Sequence, residues 1–575
     1  MPTTPTRTSR RGNVGFDNGL TNYGDAEFSR YLRRSFAKSM GYSDASLAKP
    51  VVGICYTASG FNNCHRHFPE VLSAIERGVL ANGALPVSFP MISLGEAFLT
   101  PTSMVYRNLM AMAVEEMIRA QPMDAVVLMG GCDKTVPALL MGAASAGKPA
   151  ALALAGPMVS GSHRGERLSA CTDCRRFWAR YRAGEISENE IDVVEGRLAA
   201  SAGTCSVMGT ASTMAMISET VGMTLPGAAT IPAVHADRLR ISEATGARAA
   251  EMAVSGGPRP ADLITGKSIE NALRVLLAIS GSTNAIIHLT AIAGRLGIEV
   301  SLDRLNELSD ETPVLVDLKP VGSGYMEDLH AGGGLRGVLC ELADKLNLEC
   351  ENLEGSTISE RIADSPFDPI DSNVVRNRDS PVRSVGGLVA LRGSLAPGGA
   401  ILKRAAATER LLEHEGRAVV FSSLNDLAAR IDDPNLDIEP SDLMVLQNAG
   451  PRSESGMPEA GYFPIPKKLA RQGVTDMIRI SDARMSGTAF GTVVLHVTPE
   501  ADLGGPLALV RTGDRIRVSA SEKRLDLLVD DEEIQARRAS FSGARPRPER
   551  GYASLYHRSV LPATQGCDFD FLAAR

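Results

Sequence analysis

The chain has 575 residues, 44% of them apolar and 22% charged. That composition excludes bulk disorder and, at roughly 100–200 residues per domain, predicts more than one core. Lys and Arg number 60 against 67 Asp and Glu, a net charge of -7, so the basic surplus of a dedicated nucleic-acid binder is missing. No apolar run approaches the roughly 18 residues of a membrane span.

The opening MPTTPTRTSRRG is polar with no apolar stretch behind it, and it reads as the start of a flexible arm over 1–40 rather than a targeting segment. From residue 50 the pattern alternates. VVGICYTA (51–58), LPVSFPMI (85–92), DAVVLMG (124–130) and AALALAG (150–156) are short apolar runs of buried-strand character. Between them, 68–83, 102–121 and 135–147 show helical spacing, with Thr102 or Ser103 as a cap and Pro137 near a first turn. Strand–helix repetition predicts a parallel sheet with helices on its faces, an α/β domain over 41–365. Residues 207–221, 267–280 and 283–296 read as further helices. The stretch 366–384, rich in Asp, Ser, Pro and Asn, predicts a linker. Beyond it LMVLQNAG, DMIRISDA, TVVLHVTP, RIRVSA and RLDLLVD are short strands between turn residues. They predict a β-rich, barrel-like C-terminal domain over 385–575.

Open α/β sheets bind ligands at the carboxyl ends of their strands. Three successive predicted strands end in chemistry-bearing residues: Cys64, His65 and His67 in NNCHRHF, Glu96 in SLGEAF, and Cys132, Asp133 and Lys134 in GGCDKT. Cys205, in GTCSVMGTASTM, is expected at a helix N-terminus, where amides and dipole favour an anion. Each cysteine taken singly reads as a small buried hydrophobe. Grouped at one sheet edge, Cys64, Cys132 and Cys205 suit a soft metal centre with one open position, and Glu96 and Asp133 suit a hard cation. CTDC (171–174) is the one tight C-x-x-C; with no second pair at zinc spacing it reads as structural. Cys55, Cys340, Cys350 and Cys567 read as structural too. GAASAGK (142–148) mimics a phosphate loop, but Pro149 follows the lysine, so the magnesium-binding hydroxyl is missing and nucleotide binding is rejected. Near the C-terminus, Glu459 sits in a Gly/Pro turn and Ser486 beside Gly487; no Ser-His-Asp order accompanies that serine.

GCDKT (131–135), GTCSVMGTASTM (203–214), GSTNAIIHL (281–289), GMPE (456–459) and SDARMSG (481–487) together resemble the dihydroxyacid and sugar-acid dehydratases, over about residues 50–560. The resemblance implies an α/β domain followed by a barrel-like domain. It implies an iron–sulfur cluster on Cys64, Cys132 and Cys205, [2Fe-2S] with [4Fe-4S] as the alternative. It further implies Mg2+ on Glu96, Asp133, Glu459 and a carbamylated Lys134, and Ser486 as general base. His65 and Thr488 are expected beside the substrate or behind the ligands. The implied partners are a small 2,3-dihydroxy acid and further copies of the chain, as a homodimer or homotetramer; the polar N-terminus and nine cysteines without a disulfide pattern predict a cytoplasmic protein.

SLGE and RMSGTAFGT resemble the sugar-acid branch, which implies dehydration of an aldonate such as arabinonate, xylonate or galactonate to a 2-keto-3-deoxy acid. The alternative is the dihydroxy-acid dehydratase of branched-chain amino-acid synthesis, or an enzyme accepting both. Ala58 stands where the family often has Trp, which predicts a wider pocket. A phosphogluconate-type enzyme would need a phosphate-binding basic group not evident in the motifs. A zinc-stabilised binding protein built on Cys171 and Cys174 is the reading from another class.

Overall fold

The computed structural model describes residues 14–363, 370–541, 543 and 547–574. The first thirteen residues of the expected arm, and part of the expected linker, lie outside the described residues. Residues 26–39, expected within that arm, instead form helix α1 (Ala26–Ser39). Asp25 caps it by accepting from the Glu27 and Phe28 amides. The lead-in is tied to the sheet by Asp124, whose carboxylate accepts from the Gly15 and Val51 amides at 2.8 and 2.7 Å.

The N-terminal half is an α/β domain. Strands β1 (Val51–Tyr56), β2 (Leu85–Pro90), β3 (Ala125–Gly130) and β4 (Ala150–Leu154) form a parallel sheet in the order β2-β1-β3-β4. β3 and β4 are buried along their whole length, as expected of parallel strands covered on both faces. Helices α2 (Phe68–Ala81), α3 (Ser103–Ala120) and α4 (Thr135–Ala146) make the crossovers. Chain order reverses between β1 and β3, so the loops after these two strands open the crevice where such sheets place ligands. The GAASAGK run lies at the C-terminal end of α4, where Gly147 takes φ 68°; it is a helix stop. A small hairpin, β5 (Gly161–His163) with β6 (Glu166–Leu168), precedes α5 (Thr172–Ala183) and α6 (Glu188–Leu198). Then come α7 (Thr210–Thr220) and α8 (Ala236–Ser255). α8 packs along α2 so closely that a Cβ on Gly78 would stand 2.0 Å from the Glu243 carbonyl oxygen.

The C-terminal half holds a mixed eight-stranded sheet. Its strands are β7 (Val389–Leu391), β8 (Gly399–Leu402), β9 (Glu413–Phe421), β10 (Leu443–Leu446), β11 (Arg479–Ser481), β12 (Val493–Thr498), β13 (Arg515–Ser519) and β14 (Arg524–Leu528). Their order is β14-β13-β9-β10-β11-β12-β8-β7. The edges nearly meet: the Arg392 amide donates to the Lys523 carbonyl at 2.9 Å and the Leu525 amide to the Arg392 carbonyl at 3.0 Å. Curling the sheet into a barrel in this way leaves little free edge.

The last segment returns to the first half. Buried Arg107, on α3, donates to the Gly566 and Cys567 carbonyls, both at 2.8 Å, and buried Arg295 pairs with Asp568 at 2.5 Å. Among the described residues, no helix is long and apolar enough to cross a membrane.

Candidate functional site

The loops after β1, β2 and β3 meet the loop after β11 and the turn before it. Glu96 follows β2, Asp133 follows β3, and Glu459 comes from the second half; their carboxylate oxygens lie within 4.8 Å of one another. Arg484, in the loop after β11, is fully buried and clamps two of them, donating to Glu96 and Glu459 at 2.7 Å each. It also donates to Thr102 Oγ1 and the Met457 carbonyl, at 2.7 and 2.8 Å. Burial pushes the Glu96 carboxyl up, but Arg484, Lys134 and the Ser103 hydroxyl outweigh it and hold it at about 2. Asp133 and Glu459 are pushed up instead, by burial and by the charge of Glu96. Three acids this close in low dielectric need more positive charge than one guanidinium supplies.

Lys134 lies among them. Its Nζ is 3.7 Å from Glu96 and 3.9 Å from Asp133, fully buried and without a hydrogen-bond partner. A stranded donor beside three carboxylates suits a site completed by something further. Oxygens around an octahedral Mg2+ stand about 3–4 Å apart, given bonds of about 2.1 Å, so this donor set fits that ion.

The thiols adjoin the carboxylates. Cys64 and Cys132 are buried, and the Cys64 thiol is pushed up first by its neighbour Cys132 and then by burial. Cys205 is displaced from its expected position: it lies in the loop ahead of α7, which begins only at Thr210. The amide end of α7 serves Asp133 instead, which accepts from the Ala211 N–H. Cys171, expected to be structural, belongs to the same cluster, its Sγ 3.2 Å from Cys205 Sγ. Cys174 turns away and donates to the Cys171 carbonyl at 2.9 Å. His65 is fully buried, stacked on Phe68. Its Nδ1 stands 2.9 Å from the Thr57 carbonyl and its Nε2 accepts from the Cys132 amide at 3.1 Å. With the ring pushed down to about 4 by burial, the neutral Nδ1–H tautomer satisfies both contacts, so His65 fixes the backbone of Cys132. His67 likewise turns to the Ala155 carbonyl, at 2.9 Å.

Ser486 is buried in the loop after β11, its Oγ 2.8 Å from Thr488 Oγ1. The next residue must be glycine: a Cβ on Gly487 would stand 2.6 Å from Ser282 Cβ and 3.0 Å from the Gly209 carbonyl carbon. The GSTN motif therefore packs against this loop, Ser282 bonding to Thr210 at 2.9 Å. Buried Lys403 donates to the Gly487 carbonyl at 3.0 Å, and burial pushes its ammonium down to about 7. Arg175 reaches in from α5 and donates to Thr488 Oγ1 at 2.8 Å and to the Cys171 carbonyl at 2.9 Å. It pairs with no carboxylate among the described residues.

Sequence reasoning passed over Arg484, Arg175, Lys403 and the clustering of Cys171. Only Arg484 carried a signal, as the cation inside SDARMSG. A cavity of about 680 Å3 lined by Glu219, Thr230, Arg240, His330 and Glu360 includes none of these side chains.

Acids and thiols from the edge of the first sheet thus meet an acid, an arginine and a buried serine from the second half of the chain. The dihydroxy-acid/6-phosphogluconate dehydratase N-terminal model matches residues 49–361 and its C-terminal counterpart residues 373–567. The chain belongs to that dehydratase family. Its relatives include the 6-deoxy-6-sulfo-D-gluconate dehydratase of Pseudomonas putida, 44% identical over 92% of this chain and 91% of that one. The L-arabinonate dehydratase of Rhizobium leguminosarum bv. trifolii is 43% identical over 96% and 95%. The dihydroxy-acid dehydratase of Ruminiclostridium cellulolyticum is 35% identical over 93% and 97%.

Proposed function

We propose that this protein removes water from a sugar acid, converting a 2,3-dihydroxy carboxylate such as arabinonate, xylonate or galactonate to the 2-keto-3-deoxy acid. The observation that carries this reading is the meeting of Glu96, Asp133 and Glu459 with a thiol cluster and the buried Ser486 loop. Relatives named for sugar acids share 43–44% of its residues, against 35% for a branched-chain type relative. Arg175 supports it further, as a cation in the site available to a substrate anion.

Glu96, Asp133 and Glu459 would hold Mg2+, and a carbamate on Lys134 would turn a stranded cation into an anionic oxygen ligand. Cys64, Cys132 and Cys205 would hold an iron–sulfur cluster, [2Fe-2S] in this reading. When bound, Mg2+ supplies charge that acidifies the C2 proton, and the cluster supplies Lewis acidity toward the C3 hydroxyl. The protein's own residues do the rest. Ser486 Oγ receives the C2 proton, and Thr488 Oγ1 and the Arg175 guanidinium behind it stabilise negative charge on that oxygen. Lys403 fixes the loop through the Gly487 carbonyl. Loss of the C3 hydroxyl as water leaves an enol, which tautomerises to the keto acid.

The same reading includes a homodimer or homotetramer in the cytoplasm. The exposed Tyr31, Phe36 and Met40 of α1 are apolar surface that a second copy would cover. The test is a substrate panel on anaerobically reconstituted enzyme, following 2-keto acid formation. Turnover of L-arabinonate, D-xylonate or D-galactonate is expected. Turnover of 2,3-dihydroxyisovalerate alone would overturn the sugar-acid reading in favour of the branched-chain one.

A further inference from the structure

A second group of metal-ligand side chains gathers at the start of α8. His235 stands just ahead of that helix, Asp237 in its first turn, and His330 on the short helix Met326–Ala331. One ligand atom from each lies within 4.8 Å of the other two. The two imidazole rings have their centroids 5.8 Å apart and cross at 74°. Rings sharing one tetrahedral ion, with metal–nitrogen bonds of about 2.0–2.1 Å, hold their centroids about 5 Å apart and their ligand atoms about 3.4 Å apart. His235, its side chain 54% exposed, can turn to close that difference.

Neighbouring groups set which atoms are offered. His330 Nδ1 lies 3.2 Å from Thr230 Oγ1. With Nδ1–H donating to that hydroxyl, the ring is held in place and Nε2 carries the lone pair. Arg240 pairs with Oδ1 of Asp237, while Oδ2 faces His235 Nδ1 at 3.3 Å. The carboxylate thus already shares its charge with a guanidinium. A hard cation such as Mg2+ or Ca2+ needs several oxygens and is poorly served by one such acid. Two neutral imidazoles and a single oxygen suit a borderline metal instead. Asp237 and His330 also line the cavity of about 680 Å3, with Thr230, Arg240 and Arg336. Three protein ligands leave a fourth position, and here it opens on that cavity, where water or a small anion reaches it.

We propose that His235, Asp237 and His330 form a binding site for a late first-row divalent metal, Zn2+ above all, distinct from the Glu96, Asp133 and Glu459 group. The ion would join the start of α8 to the helix Met326–Ala331. The inference depends on neither the cluster reading nor the sugar-acid reading.

The test is a Zn2+ titration of untagged, anaerobically purified, iron-loaded protein in excess Mg2+, followed by calorimetry. Wild type is expected to bind one more equivalent of Zn2+ than His330→Ala. His235→Gln and Asp237→Asn are expected to weaken that equivalent at least about 10-fold, with circular dichroism unchanged. Zinc taken up by thiols or by the Glu96 group cancels between wild type and variants. Equal uptake at equal affinity in wild type and all three variants overturns the proposal, as does an equivalent that appears only when Mg2+ is left out. Carbethoxylation of histidines in wild type, mapped by peptide mass spectrometry, needs no variant to fold. Zn2+ should protect His235 and His330 and leave the labelling of His414, on β9, unchanged. Equal modification of His235 and His330 with and without Zn2+ refutes the site.

Discussion

Replacing Arg484 by Met keeps most of the side-chain bulk and removes every donor. The guanidinium is fully buried and holds Glu96 and Glu459 at 2.7 Å each. Without it, Glu96 loses the larger of the two cations that keep its carboxyl at about 2 against an ordinary 4.5. Burial then pushes the Glu96 carboxyl up with less to oppose it, and Glu459 loses the same partner. Removing one partner of a buried ion pair costs roughly 3–5 kcal/mol. Because the folded value lies below the unfolded one, this stabilisation is fully present above about pH 4.5 and is lost as pH falls through about 2. Urea unfolding of metal-free protein, followed by circular dichroism, should therefore show Arg484→Met weaker than wild type by about 3 kcal/mol at neutral pH. The gap should narrow below pH 4.5. Millimolar Mg2+ should shrink it too, since a dication compensates the same carboxylates. Equal midpoints at neutral pH, or a gap unchanged down to pH 2, would refute the assignment of Arg484 as the counter-charge of this site.

Ser486→Ala should lower kcat by about 100- to 10,000-fold, the range of a lost general base, with iron content and circular dichroism unchanged; kcat within a few-fold of wild type would remove Ser486 from the chemistry. Arg175→Met should raise KM for the accepted sugar acid roughly 10- to 150-fold, the equivalent of one charged hydrogen bond of about 1.5–3 kcal/mol, and should lower kcat as well, because the guanidinium also stands behind Thr488 and Ser486; an unchanged KM would show that Arg175 touches no substrate. Glu500, buried beside Asp482 and Asp502, is pushed up to about 8, chiefly by burial. Its contribution to stability is present below its ordinary value and lost as pH rises through about 8. Glu500→Gln should flatten the fall in stability across that window in urea titrations, and an unaltered pH profile would show that Glu500 ionises freely in the fold.

The parallel sheet was legible because β3 and β4 are continuous apolar runs, which only a doubly covered strand needs. The strand ends then located Glu96, Cys132 and Asp133 before any geometry was known. β9 escaped notice because its first half, Glu413–Gly416, is polar where it pairs with β13 at the exposed rim. α8 escaped for a related reason: its buried face is built from small residues such as Gly246, Ala249 and Ala250, which carry little hydrophobic periodicity. The Cys171–Cys205 contact spans 34 residues and depends on a backbone turn that no spacing rule encodes. Arg484 is harder still, since a charged residue in a polar motif reads as surface until the fold buries it between two carboxylates from different halves of the chain.

The halves also differ in when they exist. Cys64, Cys132, Cys171 and Cys205 all lie within the first 205 residues, whereas Glu459, Arg484 and Ser486 come more than 250 residues later. At about 5–20 residues per second, translation delivers the thiols roughly 15 to 55 seconds before the serine. During that interval the segment around Thr488, which packs on Thr172 and Arg175 in the finished protein, has not yet been made. Under the proposed cluster reading, the thiols spend that time without this segment over them, open to a cluster donor and equally open to oxygen, so the timing of synthesis would set both the opportunity to load the site and the risk of spoiling it.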